Sequence, residues 1–503
     1  MLKLSLVKKI SGICPVRSLF MKRALICLSL SFFILLSILN AEVLEDDFRI
    51  ASAIRLVDVW LDAEIAYKDI PGISAGIVDD QTLLWSKGFG YANKNKKILA
   101  APDTIYSICS ISKLFTSIAI MQLRDQGRLD LDKPIKTYLP WFDIQDTFPD
   151  ASPITLRGIL THSSGLPREA DYPYWTGPDF PFPNREEIIA KLSDQKELYP
   201  AQTYFQYSNL GMTLAGEVVA AVVKKPFTSY VIENIIAPLG LRNTTPEMPV
   251  DQVGKKLAVG YSVRLREGGR KEIPFYLVKG IAPAAGFAST VEDLARFASW
   301  QFRLLENGGQ EILSVNTLKE MQRVHWVDPD WQTYWGFGFS ISRHNNKTFV
   351  GHGGSCPGYR TQINLCPQDK IAVIAMSNAH DVNPSIYTQR IYEIIEPALS
   401  KAKKSPLYGK DPDINLEKYT GRYVRSVGRE SYVLMWWESD LTVVSLPNDN
   451  PIRSLTKLKH IEGNTFQRIR DDGNLGEQII FEPDTNGRII HMIWNSQISK
   501  RVD

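Results

Sequence analysis

Apolar residues recur at intervals of three and four along residues 48–70, which is the spacing of an amphipathic helix. The positions are Ile50, Ile54, Val57, Leu61 and Ile65. Two runs rich in β-forming residues follow at 72–80 and 81–93, and the pair Asp79-Asp80 between them predicts a hairpin. A mostly apolar segment, residues 112–127, predicts a second helix that ends at its glycine.

The pattern changes at residues 172–183, where YPYWTGPDFPFP is too rich in proline and aromatic residues for regular structure and predicts a loop. The elements expected further along are a helix at 209–223, short strands at 337–342 and 347–350, and a buried strand at 371–378. Strands from both ends of this region can share one sheet around the helices between them. The pattern therefore predicts an α+β domain over residues 48–400.

A charged segment with proline and glycine, residues 401–413, predicts a linker. Beyond it, in residues 414–503, short β-rich runs alternate with turn residues such as those at 447–450 and 484–487. This spacing predicts a small antiparallel barrel or sandwich. No group of residues in this part of the sequence is suited to catalysis.

The first 41 residues resemble a leader in composition, with six basic residues, no acidic one and an apolar stretch at residues 24–39. This pattern predicts a secretory signal peptide, and Met21 is an alternative start because a compact signal would begin there. An organellar leader and an uncleaved membrane anchor are the alternatives, since the stretch falls just short of the roughly 17–25 residues that span a bilayer. We expect an exported protein, either periplasmic, secreted or anchored facing outward.

Composition narrows the classes of partner. The 503 residues are 44% hydrophobic and 22% charged, which is typical of globular domains. The net charge is +3, but the basic leader accounts for it, so a nucleic-acid partner is not expected. The three cysteines beyond the leader, Cys109, Cys356 and Cys366, lack metal-binding spacing. We expect them to be buried, and neither a metal nor a cofactor is predicted.

One short string, Ser110-Ile111-Ser112-Lys113, has the spacing of a serine activated by a nearby amine. Ser-x-x-Lys also begins at four other serines: Ser5, Ser193, Ser400 and Ser454. Only Ser110 opens a long apolar helix, where a buried lysine would have a lowered pKa and share a helical face with the serine. The alternative is a helix-capping serine beside a lysine whose ammonium reaches solvent.

Two later motifs strengthen the catalytic interpretation: Tyr207-Ser208-Asn209, and His352-Gly353-Gly354 before an apolar strand. In this order, and with PGISAGIV, ITLRGILTHSSGLP and AAGFASTVEDLARF around them, the sequence resembles the penicillin-recognising serine hydrolases. These include class C β-lactamases, D-Ala-D-Ala carboxypeptidases, esterases and D-aminopeptidases. The resemblance covers most of residues 48–395 and implies an antiparallel sheet flanked by helices, with an all-helical cluster.

The resemblance also implies roles for individual residues. Ser110 would be the acylated nucleophile, and Lys113 and Tyr207 would share proton transfer, with the acylation base undecided between them. A phenol near a cation is expected to ionise more easily. Asn209 would bind Lys113 or the substrate amide. The oxyanion hole would use the backbone N–H groups of Ser110 and Ser355.

The sequence departs from the lactamases and carboxypeptidases at His352, where they usually have lysine. An imidazole holds a substrate carboxylate less firmly than a permanent cation, so the resemblance points to esterase or D-aminopeptidase relatives, although simple packing of His352 is an alternative. His162 is expected to be structural. The loop at 172–183 and Tyr334-Trp335 would either line the substrate pocket or pack internally. A redox link between Cys109 and Cys356 is a further hypothesis.

Three functions remain open. The first is a serine hydrolase that acts through an acyl-enzyme on esters, D-amino-acid peptides or β-lactams. The others are a penicillin-binding sensor with little turnover, and a non-catalytic scaffold that forms assemblies. A small-molecule or peptide substrate is expected, together with membrane association through residues 24–39 if the leader stays attached. The C-terminal β region resembles lipocalin-like domains, which implies a role in specificity or in homo-oligomer assembly.

Overall fold

The computed structural model describes residues 47–331, 334–405 and 414–502. Its α-helices are α1 (Phe48–Tyr67), α2 (Ser112–Asp125), α3 (Leu156–Leu160), α4 (Arg185–Leu192), α5 (Asn209–Val223), α6 (Phe227–Val231), α7 (Ala282–Ala285), α8 (Val291–Asn307), α9 (Val315–Gln322) and α10 (Pro384–Lys404). The predicted helices at 48–70, 112–127 and 209–223 correspond to α1, α2 and α5.

The main domain contains one antiparallel sheet and a separate two-stranded ribbon. The strands are β1 (Gly72–Asp79), β2 (Thr82–Asn93), β3 (Ile98–Leu99), β4 (Tyr106–Ser107), β5 (Ala288–Ser289), β6 (Trp326–Val327), β7 (Tyr334–Trp335), β8 (Ser340–His344), β9 (Lys347–Cys356), β10 (Tyr359–Cys366) and β11 (Ile371–Ser377). The sheet has the order β3-β2-β1-β11-β10-β9-β8-β7-β6, and β4 pairs with β5. Strands from both ends of the domain therefore meet, as predicted, where β1 pairs with β11.

Both faces of the central sheet are covered. Every residue of β1 is buried, which explains why its sequence is continuously apolar instead of alternating between apolar and polar residues. One face packs on α1 and α10, and the other packs on the cluster that contains α2, α5 and α8. This helical cluster carries the nucleophile candidate, and the sheet presents β9 beside it.

The C-terminal region is a closed barrel, which resolves the choice between barrel and sandwich. Its strands, paired in sequence order, are β12 (Gly421–Arg425), β13 (Glu430–Trp436), β14 (Ser439–Leu446), β15 (Thr456–Glu462), β16 (Thr465–Ile469), β17 (Leu475–Pro483), β18 (Ile489–Trp494) and β19 (Gln497–Arg501). Closure occurs where Tyr423 in β12 faces Arg501 in β19. Large side chains, including Tyr419, Phe466 and Phe481, fill the interior.

The barrel docks on the main domain through β13 and the loop after β14. Tyr432, Leu434 and Trp436 join the apolar cluster beneath α1 and α10. The indole of Trp60 in α1 donates a hydrogen bond to the Asn448 carbonyl at 2.7 Å. The barrel thus packs on the α1 and α10 side of the sheet.

Two element boundaries differ from the sequence prediction. The strand predicted at 337–342 begins only at Ser340, because Gly338 adopts a left-handed φ of +77° that interrupts an extended run. Helix α10, which the sequence analysis did not identify, continues through Lys404 into the segment predicted as a linker. The proposed leader, residues 1–41, lies outside the described residues. Within residues 47–331, 334–405 and 414–502, no helix has the length and apolar character needed to cross a membrane.

Candidate active site

Ser110 lies in a tight 3₁₀ turn, Cys109–Ile111, that leads directly into α2. Cys109 has a φ of +50°, a left-handed conformation that is costly for a residue with a side chain. The two residues beside Ser110, Cys109 and Ile111, are fully buried. Ser110 itself is half-buried and lines the adjacent cleft. The turn therefore holds the Ser110 hydroxyl at the cleft wall while anchoring the residues on either side.

Strand β9 fits closely against this turn. The hydroxyl of Thr361, on the neighbouring strand β10, donates a hydrogen bond to the Ile108 carbonyl at 3.2 Å. A Cβ atom at Gly354 in β9 would lie only 2.3 Å from the same carbonyl oxygen. Glycine at 354 therefore permits the strand to approach the turn that holds Ser110. A Cβ atom at Gly353 would lie 2.8 Å from the Gln362 side chain, so this position is also tight.

Lys113 is fully buried one helical turn after Ser110. Its ammonium donates hydrogen bonds to Ser110 Oγ at 3.1 Å, Asn209 Oδ1 at 2.7 Å and the Ala284 carbonyl at 2.8 Å. Burial lowers the pKa of this lysine to about 7. A substantial fraction of Lys113 is therefore an uncharged amine at neutral pH, in contact with the Ser110 hydroxyl.

Tyr207 lies between two cations. Lys113 Nζ is 4.8 Å from the centre of its ring, and Arg168 Cζ is 4.9 Å from it. Contrary to the expectation from the sequence, the pKa of Tyr207 is raised above 10, because desolvation of the phenolate outweighs hydrogen bonding to Ser110 and the charge of Arg168. The phenol thus stays protonated at neutral pH. The ring of His162 packs 4.2 Å from that of Tyr207, and its Nδ1 accepts a hydrogen bond from the Ser208 N–H at 3.2 Å.

His352 is a buried, uncharged imidazole. Burial, assisted by the nearby charge of Lys113, lowers its pKa to about 3. Its Nδ1 lies 2.6 Å from the Gly353 carbonyl, which requires a proton on that nitrogen and leaves Nε2 as a hydrogen-bond acceptor. Nε2 is itself buried and has no hydrogen-bond partner among the described residues. The position that carries a cation in lactamases therefore presents a neutral acceptor.

The edge of β9 beyond His352 is open. Strand β8 pairs with β9 from Lys347 to Gly351, and no strand among the described residues pairs with that side of β9 over residues 352–356. Ser355 is exposed at this edge. Unpaired backbone groups along such an edge are available to a bound molecule.

A cleft of about 1000 Å³ opens over these residues. Ser110, Tyr207, Asn209, His352 and Ser355 all line it. The sequence motifs that are far apart along the chain are thus brought together at one cavity.

The aromatic loop at 172–183 both packs internally and lines the cleft. Tyr174 and Phe182 are buried against each other, with ring centres 5.1 Å apart. Trp175, Phe180 and Trp335 face the cleft and supply an apolar wall. The barrel adds nothing to this lining among the described residues, because the lining side chains come from the main domain.

The thiols of Cys109 and Cys356 are free and buried, as is that of Cys366. Burial and the neighbouring Cys356 thiol raise the pKa of Cys109. A thiol with a raised pKa reacts slowly, so for Cys109 the buried-hydrophobe interpretation is favoured over a redox link.

Three side chains that line the cleft were not identified from the sequence: Arg168, Glu169 and Arg360. Glu169 accepts a hydrogen bond from Asn209 Nδ2 at 2.7 Å, although the two residues are 40 positions apart. Arg360 lies directly opposite Ser355 on β10. None of these contacts follows a helical or strand period, so only the tertiary structure reveals them.

Comparisons with known proteins agree with this architecture. Proteins with similar sequences include Beta-lactamase-like protein 2 of Dictyostelium discoideum. It is 28% identical over 419 residues, which cover 81% of this chain and 75% of that protein. Protein flp of Staphylococcus aureus is 24% identical over 360 residues, which cover 69% of each protein.

Solved structures show the same fold. The octameric penicillin-binding protein homologue from Pyrococcus abyssi has a TM-score of 0.60 and 25% identity, with coverage of 88% of this chain and 98% of that one. A β-lactamase/D-alanine carboxypeptidase from Yersinia pestis has a TM-score of 0.57 and 22% identity, with coverage of 69% and 98%. A D-stereospecific amidohydrolase from Streptomyces sp. has a TM-score of 0.56 and 23% identity, with coverage of 67% and 97%.

The sequence model of one family, Beta-lactamase, matches residues 58–393. This match spans most of the main domain, including the turn that holds Ser110, Tyr207 and strand β9. The chain belongs to the beta-lactamase family.

Proposed function

We propose that this protein is a serine hydrolase that forms an acyl-enzyme on Ser110. The observation that carries the proposal is the 3.1 Å contact between Ser110 Oγ and the buried amine of Lys113, whose pKa is about 7. A neutral amine at this distance can take the hydroxyl proton as Oγ attacks a substrate carbonyl. Family membership and the fold agree with this reaction class.

The remaining steps use the groups around Ser110. The backbone N–H groups of Ser110 and Ser355 donate to the oxyanion that forms on the attacked carbonyl. The protonated phenol of Tyr207 donates a proton to the leaving group and regains one from Lys113. Water then attacks the acyl carbon while the amine of Lys113 accepts its proton. The bond between the acyl carbon and Ser110 Oγ breaks, Oγ takes the proton back from Lys113, and the product acid leaves.

Esters and D-amino-acid peptides are the substrates we propose first. His352 supplies no positive charge, so the site lacks the fixed cation that favours a carboxylate-bearing lactam at this position. The apolar wall of Trp175, Phe180 and Trp335 suits an uncharged acyl group. Export through the leader at residues 1–41 is part of the same proposal, and a substrate outside the cytoplasm would fit it.

A panel of probes tests the proposal. The protein without its leader is incubated with p-nitrophenyl esters, D-Ala-D-Ala peptides, nitrocefin and a fluorescent penicillin, and the modified residue is located by peptide mass mapping. Turnover with an acyl group on Ser110 supports the hydrolase. Stable labelling of Ser110 without turnover would instead support a penicillin-binding sensor, and inertness towards every probe would support a non-catalytic scaffold.

The hydrolysis of a neutral ester should rise with pH around a midpoint near 7. Below that pH Lys113 is an ammonium and cannot accept the Ser110 proton, whereas above it the free amine predominates. His352, with a pKa of about 3, and Tyr207, with a pKa above 10, do not titrate in this range. The measurement is kcat/KM for p-nitrophenyl acetate from about pH 5 to 9, corrected for spontaneous hydrolysis. A flat profile across that range would contradict Lys113 as the base.

Arg360 favours one second candidate, a peptidase that recognises a free carboxylate. Its Nε donates to the His380 carbonyl at 2.7 Å, and no carboxylate pairs with it among the residues that the structure describes. Because it lies opposite Ser355 and lines the cleft, its guanidinium can bind an anionic group of a substrate held at Ser110.

Replacing Arg360 with alanine should separate this candidate from a plain esterase. For a D-Ala-D-Ala peptide with a free carboxylate, kcat/KM should fall roughly 10–100-fold, as expected for the loss of one charge-assisted hydrogen bond. The matching C-terminal amide should be unaffected. Arg343→Ala, at an exposed position on β8, is the control. Equal losses on both peptides would count against a carboxylate site at Arg360.

A further inference from the structure

Asn209 connects the catalytic lysine candidate to a carboxylate. Its Oδ1 accepts a hydrogen bond from Lys113 Nζ at 2.7 Å, and its Nδ2 donates to Glu169 Oε1 at 2.7 Å. Asn209 is almost completely buried, so its amide has little freedom to turn. Because a carboxylate can only accept, Glu169 requires the NH₂ group on its side and thereby directs the carbonyl oxygen towards Lys113.

The other oxygen of Glu169 connects to the aromatic wall of the cleft. Glu169 Oε2 accepts a hydrogen bond from the hydroxyl of Tyr174, whose side chain is fully buried in the 172–183 loop. The next residue, Trp175, and Phe180 in the same loop line the cleft. A continuous set of hydrogen bonds therefore runs from the substrate-facing loop through Glu169 and Asn209 to Lys113.

Charge adds a second connection between Glu169 and Lys113. Burial lowers the pKa of Lys113, and the negative charge of Glu169 is the largest effect in the opposite direction. The positive charge of Arg168 acts to lower this pKa further. The titratable groups around the Lys113 ammonium are Glu169, Arg168, Tyr207, His162, His352, Cys109 and Cys356. Glu169 is the carboxylate in this set.

We propose that Glu169 is a positioning residue that orients Asn209 towards Lys113 and joins Lys113 to the aromatic loop through Tyr174. The inference rests on the proposed role of Ser110 and Lys113. Glu169 lies near the reacting atoms but acts on them only through Asn209 and through its charge. The side chain of Glu169 is 23% exposed and lines the cleft. Because Tyr174 bonds to Glu169 and belongs to the aromatic loop, a bound substrate that moves this loop would also change the surroundings of Lys113.

The test compares Glu169→Gln, Glu169→Asp and Tyr174→Phe, with the exposed Glu186→Gln as the matched control. The readout is the rate at which a fluorophosphonate labels Ser110 as a function of pH, which needs no turnover, followed by ester kinetics. Glu169→Gln removes a negative charge that favours the Lys113 ammonium. The midpoint of its profile should therefore move to lower pH by at least about half a unit, with a roughly 10-fold lower plateau because Asn209 is no longer oriented.

The other variants separate charge from geometry. Glu169→Asp keeps the charge, so its midpoint should stay near that of the wild type while its plateau falls. Tyr174→Phe should leave the midpoint unchanged and raise KM several-fold for esters with bulky acyl groups, with little change in kcat. Thermal unfolding of each variant confirms that it is folded.

Three results would overturn the inference. In the first, a folded Glu169→Gln variant is labelled by the fluorophosphonate at the wild-type rate and with an unshifted pH midpoint. This result would reject the positioning role of Glu169 and leave the proposed function of Ser110 and Lys113 intact. If Glu169→Gln does not fold, a wild-type plateau for Glu169→Asp would reject the positioning role. Failure of the wild-type protein to label at Ser110 would contradict the proposed function, and the inference would fall with it.

Discussion

Replacing Ser110 with alanine should reduce ester hydrolysis by roughly 10⁴-fold or more and abolish covalent labelling, because Ser110 carries the hydroxyl that the buried amine of Lys113 contacts. The hydroxyl is the atom that Lys113 contacts at 3.1 Å, and alanine removes only that oxygen. The fold should be unaffected, since Ser110 is half-buried and its neighbours anchor the turn. The measurement is initial rates with p-nitrophenyl esters, together with intact-protein mass after exposure to a fluorescent penicillin.

Ser193→Ala is the matched control for this variant. Ser193 begins another Ser-x-x-Lys string, yet it is exposed at the end of α4 and lies away from the cleft lining. Its replacement should leave both rate and labelling at wild-type levels. Residual wild-type turnover in Ser110→Ala would show that the reaction proceeds through a different group.

Replacing Lys113 with methionine should lower kcat by roughly 10²–10⁴-fold, the usual contribution of a positioned general base. The nucleophile remains, but no amine is left to take its proton. The rise in rate around pH 7 should disappear as well, because it reports the titration of this side chain. Steady-state kinetics across pH test both effects. A variant that keeps the wild-type pH profile would exclude Lys113 as the base and return Tyr207 to that role.

Folding of this variant can be checked separately. Methionine leaves Asn209 Oδ1 and the Ala284 carbonyl without their donor, at a cost of about 1–3 kcal/mol for each group. It also removes the desolvation cost of a fully buried amine, which acts in the opposite direction. We therefore expect a folded protein whose thermal unfolding midpoint is close to that of the wild type. Lys113→Arg is less suitable, because a guanidinium stays charged and needs more space.

Much of the fold could be predicted from periodicity. The helical spacing of α1 and the continuous apolar runs of β1 and β11 are local properties that buried elements must have. The small C-terminal barrel expected from the strand spacing is confirmed, but the register of its closure could not be predicted, because Tyr423 and Arg501 lie at opposite ends of the domain. The late start of β8 depends on the conformation of one glycine against Ser117 in α2.

The candidate site divides in the same way. Ser110 and Lys113 are close because they are one helical turn apart, and the order of the motifs indicated Tyr207 and His352. The charge states could not be predicted. The phenol of Tyr207 is protonated, and the imidazole of His352 is neutral, because both groups are desolvated by segments distant in sequence. Glu169 was missed for a related reason, since its contact with Asn209 has no local pattern.

At Cys109 the strain of a left-handed backbone opposes the packing of the side chain. A residue with a side chain in this conformation costs about 1–3 kcal/mol, which glycine would avoid. Yet the side chain of Cys109 is fully embedded in the core, where it restrains the residue that carries the nucleophile. Glycine would relieve the backbone strain but would leave a cavity where this side chain packs, so its two effects on the free energy of unfolding have opposite signs. The packing that offsets the strain at Cys109 is thus the same packing that restrains Ser110.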